Sequence, residues 1–175
     1  MTVMTLFAEN KIFTSEKVDA LKSYQLLSES VIYNCSAYVE KLETGEKMAK
    51  GNVTEVGLLN YFTKQGIDVD SYLHKKTENG FFEFLIPFSS SRKRATSAVR
   101  NPRTKQVSVF VKGAPEIVID LCDRYLAENG EEEDLDQEKK DEIINKIVKT
   151  MAGKCYRTIL VAHSEYSESE WRRAK

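Results

Sequence analysis

The run Val109-Phe110-Val111, followed at once by Lys112-Gly113-Ala114-Pro115, constrains this chain more than any other stretch. Consecutive β-branched and aromatic residues predict a buried strand. That strand ends on an ammonium group, which is costly to bury without a partner. Lys112 must therefore either extend its stem to reach water or meet an anion. The Gly and Pro that follow predict a tight turn into a helix beginning near Pro115 and running to about Tyr125.

The remaining elements follow from periodicity and turn chemistry. Met1–Phe7 predicts a first strand. From a candidate N-cap at Ser15 to Tyr38, apolar residues at mostly helical spacing (Val18, Leu21, Leu26, Leu27, Val31, Ile32) predict one long helix or two joined ones. The stretch ETGEKMAKGN is a polar connection. A helix then starts at Asn52, with Glu55 placed as the return member of a capping box and Val56, Leu59 and Phe62 on its inner face. Strands are expected at 81–88, 95–101 and 106–112, the last two joined through the Asn101-Pro102 turn. Residues 127–142 are acidic and Gly-punctuated, hence a surface loop. Ile144, Ile147, Val148 and Met151 make the stripe of a further helix, 157–163 a final strand, and the rest a polar tail. Strands and helices in uneven blocks predict one α+β domain over residues 1–175 around a largely antiparallel sheet.

Composition excludes several classes of function. With 26 basic and 27 acidic residues the formal charge is -1, so no polycation points to nucleic acid or an anionic membrane. The three cysteines lack CxxC spacing, and the two histidines stand in no metal-binding pattern, so reduced thiols and no metal site are expected. No apolar run approaches a membrane span, and no secretory signal pattern opens the chain. Neither GxxxxGK[ST] nor GxGxxG occurs.

Four stretches remain, three of them with both a structural and a functional reading. In PFSSSRKRATS, Phe88 either closes a strand or offers a plate for a flat heterocycle, beside cations for its phosphates. A third reading makes Thr96 or Ser97 a phosphorylation site behind the basic residues. In VKGAPE, Gly113 either shapes a turn or lets a ligand approach the backbone. Glu55 either caps its own helix or accepts a hydrogen bond from an exocyclic amine. Arg157 is a cation at the start of a buried strand, where most arginines pair with a surface carboxylate.

Taken in order, GNVTEVGLL, PFSSSRKR, VKGAPEIVIDLC and RTILVAH resemble the nucleotide-binding domain of P-type cation-transporting ATPases over essentially the whole chain. Met1-Thr2-Val3 is similar to the segment after that family's DKTGTLT motif. The resemblance implies an α+β fold, a twisted antiparallel sheet of about six or seven strands flanked by helices. It implies an ATP site: Phe88 stacks on adenine, Glu55 lies near the adenine amino group, Lys112 and Lys93 meet the nucleotide at the pocket mouth beside Gly113, and Arg157 reaches the phosphates. SVIYNCSAYV and YRTILVAH look most like calcium pumps of the plasma-membrane type, whereas IPFSS is similar to sodium/potassium pumps. The chain has no DKTGT, hence no acceptor aspartate and no catalytic residue of its own. The resemblance therefore implies a cytoplasmic domain of a larger membrane protein, with phosphorylation and actuator domains of the same polypeptide as partners and Mg²⁺ held mainly by them. The competing class is an interaction module of the same fold that binds no nucleotide.

Overall fold

A computed structural model describes residues 1–14, 18, 21–43 and 45–174; the expected N-cap at Ser15 lies outside them. The scaffold is a four-stranded antiparallel sheet in the order β10-β7-β6-β5. Its strands are β5 (Phe82–Ile86), β6 (Arg94–Arg100), β7 (Val107–Gly113) and β10 (Leu160–Tyr166). The β6–β7 turn closes as the sequence predicts: the Asn101 side chain accepts from the N–H groups of Arg103 and Thr104. Six shorter strands form three separate ribbons: β1–β2 (Thr5–Ala8, Lys11–Thr14), β3–β4 (Tyr38–Lys41, Lys47–Lys50) and β8–β9 (Arg124–Leu126, Glu132–Asp134). The α+β class is as expected, but the main sheet holds four strands rather than six or seven, because each ribbon is satisfied by its own hairpin partner.

Strand alternation sorts the sheet into two faces. Register places Ala95, Lys112 and Val161 in one row and Ser97, Phe110 and His163 in the next, all on the same face. Against that face pack α1 (Tyr24–Ile32) and α2 (Val53–Lys64). Ile32, Leu59, Phe62 and Phe110 are among the most buried side chains of the described chain. Tyr33 bridges α1 to the sheet, 6.3 Å from the Phe110 ring and 5.2 Å from Phe81. α3 (Val69–Lys75) lies beyond, its Tyr72 ring 5.5 Å from Tyr33.

Several expectations are corrected. Of the one long or two joined helices expected over 15–38, residues 15–17 and 19–20 lie outside the described residues. Over 21–38 there is one helix, α1, which the chain leaves after Tyr33 to turn Asn34 into the sheet, where its side-chain amide donates to the carbonyls of Ala95 and Phe110. The polar stretch 43–52 contains β4; its partner β3 carries one inward apolar residue, Val39, opposite Ala49, while Glu40 and Lys50 pair outside at 3.2 Å. So few inward residues leave no legible alternation. The helix after Pro115 stops early: α4 (Pro115–Val118) passes into a 3₁₀ turn (Ile119–Leu121). The acidic loop is partly ordered as β8–β9 and as α5 (Gln137–Glu142), which Asp136 caps by accepting from the Lys139 N–H.

α5 runs without interruption through a π-helical segment (Ile143–Val148) into α6 (Lys149–Gly153). Its apolar stripe is half-buried: Ile147, Val148 and Met151 line a cavity of 1230 Å³ shared with Leu6, Val161 and Tyr156. The final strand begins three residues later than expected, since Leu160 is the residue opposite Gly113, where β7 ends. The polar tail is helical as well. In α7 (Glu168–Ala174), Trp171 is buried against Phe84 and Tyr166, with ring centroids 6.0 and 5.8 Å away. No helix among the described residues is long and apolar enough to cross a membrane.

Candidate functional site

Antiparallel pairing brings the candidate segments to one end of the sheet. β5 finishes at Ile86 and leads to Phe88; β6 starts at Arg94, just after Lys93; β7 finishes at Gly113; β10 starts at Leu160, shortly after Arg157. Arg94, Gly113 and Leu160 share one row of the register. Glu55, in the first turn of α2, comes to the same end through its contact with Lys112.

Lys112 answers the problem that its sequence poses. It is 7% exposed, and the anion that meets it is supplied by the chain itself: Nζ lies 2.7 Å from Oε1 of Glu55, which is equally buried. The ammonium also donates to the Asn34 carbonyl and to the Cys35 sulfur at 3.2 Å. Oε2 of Glu55 accepts from the Ser36 N–H at 3.0 Å, the Ser36 hydroxyl at 2.7 Å and the Ala37 N–H at 3.1 Å. Glu55 thus serves the loop after α1 rather than a capping box; the Asn52 side chain caps α2 by accepting from the Thr54 N–H. Burial pushes the Glu55 carboxyl up, but the Lys112 charge and the hydrogen bonds from Lys112 and Ser36 outweigh it and hold it below its ordinary value. Burial likewise raises the Cys35 thiol, despite the neighbouring Lys112.

A carboxylate offers about four acceptor positions. Oε2 is saturated, whereas Lys112 is the one described partner of Oε1, which leaves that oxygen able to accept once more.

The other candidates are exposed. Phe88 is 55% exposed and leads into a tight turn in which Arg92 donates to the Pro87 carbonyl and Lys93 N–H to the Ser89 carbonyl. Lys93 adopts φ +52°, and its ammonium stands 3.9 Å from Glu116 with both side chains more than half exposed. Arg157 donates to the Thr54 hydroxyl at 3.1 Å, beside Glu55. Gly113 has a local reason to lack a side chain: a Cβ there would stand 2.3 Å from the Lys93 carbonyl oxygen and 2.8 Å from the Arg94 Cα. What approaches its backbone in this structure is β6, and the Ala114 N–H donates to the same Lys93 carbonyl at 2.9 Å. Ser97 is fully buried and Thr96 is paired to Val111 within β6, so neither suits modification by another enzyme.

Two contributors are not among the candidate site residues. Asn34 and the loop Cys35–Ala37 hold both members of the buried ion pair; they lie within SVIYNCSAYV, where the polar Asn-Cys-Ser in an otherwise apolar run is the local signal. Lys76, at the end of α3, donates to the Cys35 carbonyl at 2.6 Å.

Comparison of the sequence with known proteins finds relatives among calcium-transporting ATPases. The sequence model described as "P-type ATPase, cytoplasmic domain N" matches residues 22–175. "Calcium-transporting ATPase 10, plasma membrane-type" of Arabidopsis thaliana is 32% identical over 137 residues, 78% of this chain and 12% of that protein. "Plasma membrane calcium-transporting ATPase mca-1" of Caenorhabditis elegans is 30% identical over 176 residues, 93% of this chain and 14% of that protein. The human plasma membrane calcium-transporting ATPase 4 is 29% identical over 140 residues, covering 77% and 11%. The chain spans a small fraction of the length of these relatives, yet the family match runs from before α1 through α7. On that match, the chain belongs to the P-type ATPase cytoplasmic domain N family.

Proposed function

We propose that this domain binds ATP at the sheet end formed by Phe88, Lys93, Gly113 and Arg157, over a floor made by the Lys112–Glu55 pair. The observation that supports the reading is the common end of the sheet: β6, β7 and β10 meet in the Arg94–Gly113–Leu160 row next to the exposed Lys93 and Arg157, β5 runs on toward the exposed Phe88, and α2 sets the buried Glu55 against Lys112. Phe88 stacks on adenine, a contact worth on the order of 1–3 kcal/mol. The free acceptor of Glu55 Oε1 takes the adenine amine; GTP presents a carbonyl there and loses that donor. Lys93 and Arg157 attend the phosphates, where solvent screening keeps each contribution small. The expected affinity is weak, on the order of 0.1–1 mM.

The full-length protein is then an ATP-driven cation pump, with calcium as the favoured ion because the relatives' names specify it. This domain presents the terminal phosphate to an aspartate of a phosphorylation domain outside the chain, and its partners are that domain and the actuator domain. The site faces the cytoplasm, and the parent protein sits in a plasma membrane or endomembrane. Among the described residues no cluster of three or more His, Cys, Asp or Glu side chains could hold a metal. Mg²⁺, which the family resemblance implies, would come with the nucleotide and be held mainly by the phosphorylation domain. What this chain's residues do is bind, orient and deliver.

Amide-detected titration of the whole chain with ATP, ADP, AMP and GTP tests the proposal. Signals around Phe88, Lys93 and Arg157 should shift with ATP and much less with GTP. Phe88→Ala should weaken all three adenine nucleotides alike, while Arg157→Ala should cost more for ATP than for AMP. The chain alone should show neither phosphate release nor an acyl phosphate, since it lacks an acceptor carboxylate in a DKTGT setting. A chain that leaves every nucleotide unbound is instead an interaction module.

A further inference from the structure

The end of α1 is held by two ammonium groups from different parts of the fold. Consecutive carbonyls just past the helix accept from them: Asn34 from Lys112 of β7, and Cys35 from Lys76 at the C-cap of α3. Cations belong at a helix C-terminus, where unsatisfied carbonyls and the dipole favour positive charge. The next two residues reverse the polarity. Ser36 and Ala37 turn their N–H groups onto Glu55, the carboxylate at the start of α2. The four-residue strap Asn34–Ala37 is thus stretched between two lysines on its carbonyl side and one glutamate on its N–H side.

Lys112 and Glu55 also bond each other directly, so either would stay near the other without the strap. Lys76 is different, because among the described residues the one hydrogen bond of its ammonium is to the strap itself. Its ammonium stands 5.0 Å from the centroid of the Phe82 ring, on the first strand of the main sheet. Burial pulls it below the ordinary lysine value, with the Cys35 thiol and Glu55 opposing and Lys112 adding to that effect. Its neighbour Lys75 is exposed. A half-buried lysine that spends its charge on one carbonyl does so at a cost, and the return is a fixed position for the peptide that precedes Ser36.

We infer that Lys76 is a positioning residue for the base-reading carboxylate: by holding the Cys35 carbonyl it aims the Ser36 and Ala37 N–H groups at Glu55 Oε2, so that Oε1 has only Lys112 as a described partner and keeps acceptor capacity for the adenine amine. The inference rests on the ATP-site reading above for its consequence, adenine over guanine selectivity, but not for its mechanical part. Lys76 touches no nucleotide in this scheme.

The test uses the whole chain with Lys76→Met, which keeps an apolar stem over Phe82 and removes the donor. Amide proton signals of Ser36 and Ala37, displaced by their bonds to a carboxylate, should move toward ordinary values without any ligand. The ATP-to-GTP affinity ratio should fall on the order of tenfold, the size of one net hydrogen bond, while the ATP-to-AMP ratio stays constant. Lys76→Arg, which restores a cationic donor, should recover both. If Lys76→Met fails to fold, Lys76→Gln, with a shorter uncharged tip, is read in the same way. Unmoved Ser36 and Ala37 signals in the folded variant overturn the inference, as does a uniform loss of affinity for ATP, GTP and AMP. If the unmutated chain binds no nucleotide, the ATP reading falls, and the two amide signals alone decide whether the strap is held by Lys76.

Discussion

Two lysines stand at the same end of the sheet and differ in almost every physical respect. Lys112 pairs with Glu55 at 2.7 Å with both side chains at most 9% exposed; Lys93 faces Glu116 at 3.9 Å with both above half exposed. Two desolvated charges are tolerable only because each is bonded several times over, and removal of one strands the other in a medium that solvates it poorly. An exposed pair at long range gains little, because water and salt screen it. The lesson is that one motif lysine is committed to a buried pair within the chain, whereas the other is exposed to solvent.

The largest test of that contrast is Lys112→Met. With Glu55 left buried and unpaired, destabilisation of about 3–5 kcal/mol is expected, read as a drop in the denaturant midpoint at unchanged slope. A loss below ~1 kcal/mol would mean the pair is solvated in solution, and the contrast would collapse. Gly113→Ala should cost less, about 1–3 kcal/mol, because the new methyl group meets the Lys93 carbonyl and Arg94 backbone rather than a movable side chain. Melting curves of this variant that overlay the unmutated ones would show that β6 and β7 are further apart than described.

Acid should separate the two pairs next. The folded value of Glu55 lies below its ordinary 4.5. Its contribution is therefore complete above the unfolded value and disappears as pH falls through the depressed folded value. Stability measured from pH 7 downward should hold through the upper acidic range and fall below it, and Glu55→Gln should flatten that fall. An acid transition identical in the two proteins would assign it to other carboxylates. Smallest is Lys93→Ala: within ~1 kcal/mol on stability, with a loss of ATP affinity that shrinks as salt is raised. A change of the same size for AMP would move Lys93 away from the phosphates.

Trp171 supplies a control for all of these. It packs against Tyr166, which lies opposite Val107 at the other end of β7 from Gly113. Its emission should respond to unfolding and stay constant on addition of ATP.

Local signals carried much of this structure because they are local in cause. A β-branched run makes β7, Asn101-Pro102 makes the turn before it, and Asn52 caps α2 whatever else surrounds it. The six candidate residues rest on something else, motifs that in order along the chain resemble a family. Where a residue's bonds lead is another matter. Glu55 sits at capping-box spacing, yet two N–H groups, a hydroxyl and a buried ammonium from far along the chain offer more than the Asn52 N–H does. Val39 and Ala49 form an inward face too narrow to show as alternation, and Trp171 is buried only because Phe84 and Tyr166 arrive beside it. Sequence alone determined the strand that ends on Lys112 and the requirement that something anionic answer it. Tertiary structure decided what answers it, because the partner of a buried charge is set by which groups the fold brings within bonding distance, and those lie 57 residues apart in the chain.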